Sequence, residues 1–437
     1  MRRSRPSKTV AIVAPHFVPS NLAGVHRARL WSLHLREFGW EPLIVTTHWK
    51  FYEEAPEFPL MELLPPDLEV IQTKALPTRP IRLVGDVGIR AFWWHLQALR
   101  RLCSERRINF VHITIPSFYS ACLGRMLHAE FGMPYGIDYI DPWVHDAPGS
   151  DVPFTKAWGT RQLARLLEPW AVKKASLITG ISPAYYQGTL ERNPRVSERA
   201  VCAAMPYGGA EADHQFVRAQ ARAAFLFVNH PNKFNLIYAG AMLPRGYSIL
   251  KRLLEGLALL RGERPGLDNE FHLHFVGTGK SPTDAQGFNV RPFIEQFGLR
   301  QCASEHPQRL GYLDVLTHLA AASGVLVIGS TEAHYSPSKI YQAIMSRHPV
   351  FALLHEKSPA AVALERARAG VTLRFDSDQL PTPPSIKSAL EQFIFANEYR
   401  EDRVDWRVVE EHSARSSARA LAAAIDEALA KTGISPP

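Results

Sequence analysis

The chain has 437 residues, 46% of them apolar, and a formal net charge of +8. This length exceeds what one hydrophobic core commonly organises and predicts two globular domains. Four cysteines far apart with no CxxC pair exclude a zinc ribbon or a disulfide framework and fit a reducing compartment, and no run approaches the ~18 apolar residues of a membrane-spanning helix.

The basic balance asks for an anionic partner. No zinc finger, RNP-like aromatic strand or Arg/Lys-rich recognition helix is present, so no nucleic acid is expected, which leaves a phosphorylated small molecule or a lipid surface.

In chain order, buried strands alternate with helices. "MRRSRPSKTVAIVAPHF" opens with a basic tail, and its apolar run from Val10 to Ala14 is too short for a signal peptide, so it reads as the first strand of a cytoplasmic protein. "GVHRARLWSLHLREFG" has helical spacing and ends at Gly39, and "EPLIVTT" completes a βαβ unit. The series continues through "RRINFVHIT", "SFYSACLGRMLHAEFG", "MPYGIDYID", "AWGTRQLARLLEPWAVKKA" and "SLITGIS".

It breaks between about 210 and 232, then resumes with "FNLIYAGAM", "YSILKRLLEGLALLRG", "FHLHFVGTG", "VLTHLAAAS", "GVLVIGS", "SKIYQAIMS", "HPVFALL", "AAVALERARAG" and "VTLRF". "LPTPPSIK" reads as a Pro-rich loop, followed by helices at "SALEQFIFAN" and 406–431. The alternation implies an α/β protein of two Rossmann-like doubly wound domains in tandem, 1–215 and 216–405.

Open parallel sheets take ligands beyond the carboxyl ends of their strands, so the turns there hold the candidate residues. Gly24 in "PHFVPSNLAGVHR" opens a helix whose dipole and N–H groups favour an anion, with His26 and Arg27 as added donors; a tight turn alone would also use it. In "YAGAMLPRGYSILKR", Gly240 ends a strand and Arg245 precedes a helix, placed for charge-assisted bonds to phosphate or simply solvated.

Gly277 and Gly279 of "FVGTGK" form a GxG that is neither a P-loop nor a dinucleotide fingerprint. In "STEAHYSPSKIYQAIMSRHPV", Ser336 or Ser338 can cap a helix beginning near Lys339, whose charge adds to the orphan N–H groups. Gln342, four residues past Ser338, shares its face and offers an amide to a sugar hydroxyl.

"IDYIDPWVHDAPG" sets Asp138 and Asp141 near a strand end: Asp141 to orient or deprotonate an acceptor hydroxyl, Asp138 to share that chemistry or brace the loop, His145 as runner-up. "FDSD" at 375–378 matches DxD by letters but reads as a turn, and no metal site is expected. "GIRAFWWHLQALRRLCSERR" aligns Ile89, Phe92, Trp93, Leu96 and Leu99 amid arginines. With Arg2, Arg3 and Arg5, this 88–107 helix can meet an anionic membrane or pack on its own sheet.

The ordered stretches "APHFVPSNLAGVHRA", "FVHITIPS", "DYIDPW", "ITGISPAYYQ", "MPYGG", "IYAGAMLPRG", "FVGTGK", "RLGYLDVLTHLAAASGVLVI" and "SPSKIYQAIMSRHPVFAL" resemble the GT-B glycosyltransferases of the retaining family four, from about residue 8 to 430. The resemblance implies hexosyl transfer from a nucleotide diphosphate sugar to a glycan or lipid-linked acceptor, with retention and with neither cofactor nor required metal. It further implies a place in polysaccharide or glycoconjugate assembly, cytoplasmic or peripheral at the inner face of the cytoplasmic membrane.

On this pattern the two domains face each other across a cleft, with 406–431 crossing back to complete the first. The donor is held mainly by the second domain, among Gly240, Arg245, Gly277, Ser338 and Lys339, with Gly24 of the first facing its diphosphate and Arg245 in place of the family's phosphate-binding lysine. Where members place two glutamates eight positions apart, this chain has His334 and Gln342, with Glu332 able to substitute for the first, and Ala241 stands where an arginine is usual. A neutral Gln342 offers a ribose hydroxyl roughly half the strength of a charged partner. These departures keep open a catalytically degenerate nucleotide-sugar-binding scaffold; a sugar-nucleotide epimerase is the other alternative, against which the motif order argues.

Overall fold

The computed structural model describes residues 8–78, 85–145, 149–206, 208–279, 287–332, 337, 339–396 and 399–433. The chain divides into two compact units, Met1–Gly208 with Ala414–Pro437, and Gly209–Ser413. The division falls ahead of position 215 because residues 211–219 form a helix of the second unit.

The first unit runs β1 (Lys8–Val13), α1 (Val25–His34), β2 (Trp40–Thr47), β3 (Glu69–Thr73), α2 (Val87–Ser104), β4 (Phe110–Ile115), α3 (Ala121–Phe131), β5 (Tyr135–Tyr139), α4 (Lys156–Val172), β6 (Leu177–Gly180), α5 (Pro183–Arg192), α6 (Pro194–Arg199) and β7 (Val201–Ala204). Its seven parallel strands lie in the order β3-β2-β1-β4-β5-β6-β7. β4 and β5 are buried along their whole length, which is why they read as unbroken rather than alternating runs.

Leu96, Leu99 and Leu102 of α2 pack into this unit's core, so most of the stripe considered for a bilayer faces the sheet; Trp93 stays exposed. Arg90 is buried too, donating to the Leu76 carbonyl at 2.8 Å and the Phe51 carbonyl at 3.0 Å. Arg100, Arg101 and Arg107 pair with Glu130, Glu105 and Glu69. Arg2, Arg3 and Arg5 lie outside the described residues.

The second unit runs α7 (Glu211–Ala219), β8 (Phe234–Ala239), α8 (Tyr247–Glu263), α9 (Leu267–Glu270), β9 (Phe271–Val276), α10 (Arg291–Gln296), β10 (Ala303–His306), α11 (Tyr312–Ala321), β11 (Gly324–Ile328), α12 (Lys339–Met345), β12 (Val350–His355), α13 (Pro359–Ala367), β13 (Gly370–Phe375), α14 (Pro383–Glu391) and α15 (Trp406–Glu411). Its six parallel strands follow β10-β9-β8-β11-β12-β13, so both sheets reverse direction of winding beside their first strand, at β1/β4 and at β8/β11.

Two expectations change. Much of "LPTPPSIK" is helical: Thr382 caps α14 by accepting from the Ser385 N–H at 3.3 Å, and the prolines fill the first turn, where a missing N–H leaves no bond unmade. The helix expected over 406–431 is two, α15 and α16 (Ala414–Thr432), and α16 returns to the first unit. There it packs on α1, the Trp31 indole donating to Ser417 Oγ at 2.9 Å.

Among the described residues no helix is long and apolar enough to cross a membrane. All four cysteines are free.

Candidate functional site

The second unit concentrates its candidate residues where β8 meets β11. Gly240 ends β8 at φ +123° and Gly277 ends β9 at φ +70°, backbone that side chains other than glycine's rarely adopt. Their N–H groups donate to the carbonyls of Val276 (2.7 Å) and His306 (2.8 Å), and a Cβ on Gly277 would rest 3.8 Å from the Gly240 backbone. Two neighbouring strand ends are therefore bare of side chains.

Lys339, the first residue of α12, lays its side chain in the space a Cβ on Gly240 would need, with Nζ 4.9 Å from the centroid of the Tyr238 ring. Burial pulls its ammonium pKa down to about 8, and the like charge of Arg309, on the loop after β10, pushes the same way. Arg245 sits in the turn Pro244–Gly246 with its side chain 65% exposed, 3.4 Å from Glu332. Glu332 in turn accepts from Ser330 Oγ at 3.2 Å, and the Thr331 N–H donates to the Arg245 carbonyl at 3.4 Å, joining the loops after β8 and β11.

Lys339, Arg309 and Arg245 thus line the carboxyl edge of this sheet, with Glu332 set against Arg245. An anion here relieves the Lys339–Arg309 repulsion and competes with Glu332 for Arg245. Arg309 was not singled out from the sequence, because β10 ("ASEH") is too short and polar to announce itself as a strand.

Gln342 is engaged within the protein. Its Oε1 accepts from His214 Nε2 at 2.7 Å, its Nε2 donates to the Tyr312 hydroxyl at 3.2 Å, and Tyr312 donates to Asp213 at 2.7 Å. Burial holds His214 below the ordinary imidazole range, leaving it a neutral donor. The amide expected to meet a ribose ties α12 to α7 and α11 instead. Ser336, Ser338 and His334 lie outside the described residues.

In the first unit Asp138 is 0% exposed, in register with Thr114 of β4 and Thr179 of β6. Arg27 Nε and Nη2 each donate to it at 2.9 Å, and Thr179 Oγ1 at 2.6 Å. Burial pushes the Asp138 carboxyl up, but the charge and hydrogen bonds of Arg27 outweigh it and hold it below its usual range. Arg27 Nη1 donates further to the carbonyls of Met205 (2.7 Å) and Pro206 (3.0 Å).

Asp138 is therefore a brace rather than a group that meets substrate, and Arg27, expected as a surface donor, is spent inside. His26 also has an internal partner, Arg29 Nε at 3.3 Å. Gly24 has helical φ, and a Cβ there would meet Pro116 at an ordinary 3.6 Å, so the turn itself does not demand glycine.

Asp141 stands exposed just past β5. Packing around its carboxyl raises the pKa, with His145 pulling the other way, which suits a group that holds or takes a proton. Asp376 is in a turn, its carbonyl accepting from the Gln379 N–H at 3.2 Å, while Ser377 Oγ donates to the Thr331 carbonyl at 2.9 Å beside Glu332. Among the described residues no cluster of three or more His, Cys, Asp or Glu is placed to hold a metal ion.

No protein-family model matches the chain, and no curated protein matches it. Solved structures match over almost its whole length. A glycosyltransferase from Rickettsia africae is 12% identical, with 98% of this chain and 99% of that one covered and a TM-score of 0.59. Alr3699/HepE of Anabaena, solved in complex with UDP, is 13% identical over 96% and 100%, with a TM-score of 0.58. An alpha,alpha-trehalose 6-phosphate synthase from Burkholderia multivorans is 11% identical over 98% of each chain, with a TM-score of 0.60. At such identities the likeness is one of fold, and the fold is the α/β architecture of the GT-B glycosyltransferases.

Proposed function

We propose that this protein is a retaining glycosyltransferase that moves a hexose from a nucleotide diphosphate sugar to a glycan or lipid-linked acceptor in polysaccharide or glycoconjugate assembly. The observation that carries the reading is the set of cations, Lys339, Arg245 and Arg309, gathered about the side-chain-free strand ends at Gly240 and Gly277. The shared fold with a protein solved in complex with UDP supports it.

When the glycosidic bond to the donor phosphate breaks, negative charge builds on the departing diphosphate. Preplaced cations in a partly desolvated edge stabilise that charge more than they stabilise the intact donor, and this lowers the barrier. In this proposal the protein's own cations supply that compensation and no metal is required. Asp141 of the first unit orients the acceptor hydroxyl.

The Gln342–His214–Tyr312 network favours one second reading, a nucleotide-sugar-binding protein without transferase activity. Thermal denaturation against UDP, GDP, dTDP, ADP and CMP and their sugars tests the site, since a ligand of the native state raises its melting temperature. One nucleotide is expected to do so and Lys339→Ala to abolish the shift; silence across the panel, with a responding transferase alongside, would remove the proposal. Turnover that requires an acceptor separates transfer from mere binding.

A further inference from the structure

The carboxyl end of α4 has features that sugar transfer does not use. Leu163, Leu166 and Trp170 recur at i, i+3 and i+7, hence on one face, and all are exposed, Leu166 to 71%. The opposite face, with Ala164, Glu168, Ala171 and Val172, is the buried one, so this helix is apolar on both sides. A solvated helix has no need of the outer stripe.

The stripe ends at a cavity of about 560 Å³ lined by Lys173, Lys174, Arg192, Arg195 and Arg199, and no carboxylate lines it. Arg192 is neutralised by the buried Glu168 at 2.8 Å, and Arg199 donates to the Lys173 carbonyl at 2.6 Å, closing the end of α4. Lys173, Lys174 and Arg195 are exposed and make no ion pair among the described residues, unlike the paired Arg100, Arg101 and Arg107 of α2. The cavity lies where β6 and β7 begin, at the opposite edge of the sheet from the strands' carboxyl ends.

We propose that α4 docks this protein on an anionic phospholipid surface, Leu163, Leu166 and Trp170 entering the acyl boundary while the basic cavity receives a lipid phosphate. Charge complementarity selects this occupant. The cavity is cationic on every charged lining position, and the adjoining stripe ends in tryptophan, whose amphipathic ring suits headgroup depth. The docking helix is thus α4 rather than α2, and the inference goes beyond the transfer reading and stands without it, since no donor takes part.

Flotation of the full chain with vesicles of equimolar phosphatidylglycerol and phosphatidylcholine tests it. Capture is expected with these and not with phosphatidylcholine alone. Lys173→Ala with Lys174→Ala should lower partitioning about 25-fold, at roughly fivefold for each surface cation. Leu166→Ser with Trp170→Ser should release the protein at high salt, where charge is screened.

All four positions are exposed, so unchanged melting temperatures verify folding, and Arg195→Ala provides an independent variant of the same cavity. Absence of capture, or capture indifferent to these variants, would overturn the proposal. So would saturable calorimetric binding of glycerol phosphate without vesicle capture, which would mark a soluble-phosphate site. The nucleotide panel has no bearing on any of these outcomes.

Discussion

The first six strands of each unit follow one order, yet the two units spend their cations in opposite ways. Beside β1 and β4, Arg27 is 1% exposed and locked to Asp138. Beside β8 and β11, Lys339 is half-buried and Arg245 and Arg309 reach solvent. Desolvating an ion costs several kcal/mol, so a buried pair persists only with its hydrogen bonds satisfied, and a cation held that way is lost to any ligand. The same winding therefore makes a closed joint in one unit and leaves cations at the sheet's edge in the other.

The most damaging way to break this contrast is Asp138→Ala. It strands the Arg27 charge in the interior and should cost about 3–5 kcal/mol in urea denaturation, whereas Arg245→Ala should stay within about 0.5 kcal/mol of the parent. Similar costs at both positions would erase the distinction.

On the ligand side, Lys339→Ala should weaken the nucleoside diphosphate that stabilises the protein about 10- to 100-fold by titration calorimetry, the worth of a charge-assisted bond of roughly 1.5–3 kcal/mol. The same affinity in the parent should fall as pH rises through about 8, where the Lys339 ammonium gives up its proton. Lys339→Arg should flatten that profile, and a profile already flat in the parent would discount the lysine.

Acid sharpens the comparison further. Burial is the chief cause that lowers His272 to about 4 and His274 to about 3, against 6.5 for the ordinary imidazole. Between those values the unfolded chain binds more protons than the folded one, so the stability is complete above about 6.5 and is lost as pH falls toward 4. His95, His112 and His128 impose the same trend on the first unit, but His214, His306, His348 and His412 are lowered as well in the second. Melting curves recorded across this range should show the second unit losing more, and His274→Gln should reduce the slope. A pH-independent transition would contradict this.

Gln342→Ala should cost about 1 kcal/mol of stability for the hydrogen bonds lost, with nucleotide affinity little changed. If Gln342→Ala abolished binding while His214→Ala did not, Gln342 would regain a direct role at the ribose.

Much of the architecture was legible because the central strands are buried on both faces and read as unbroken apolar runs, as in "FVHITI" and "VFALLH". Three of the four edge strands escaped notice: β3, β7 and β10 are only four or five residues long and partly exposed, so no unbroken buried run marks them, whereas the fourth, β13, is one residue longer and reads as "VTLRF". Gly240, Arg245 and Lys339 could be singled out locally, since a glycine at a strand end and a cation at the next helix are neighbours in sequence. Arg27 and Asp138 stand 111 positions apart and His214 and Gln342 128, distances at which no local pattern survives.

What the sequence by itself determined is the alternation of strand and helix, the doubly wound class and the turns where ligand chemistry belongs, because apolar periodicity and glycine's freedom act within a few residues. Which charges remain available at those turns was decided by tertiary structure, because a cation is silenced only by a partner that folding brings from far along the chain.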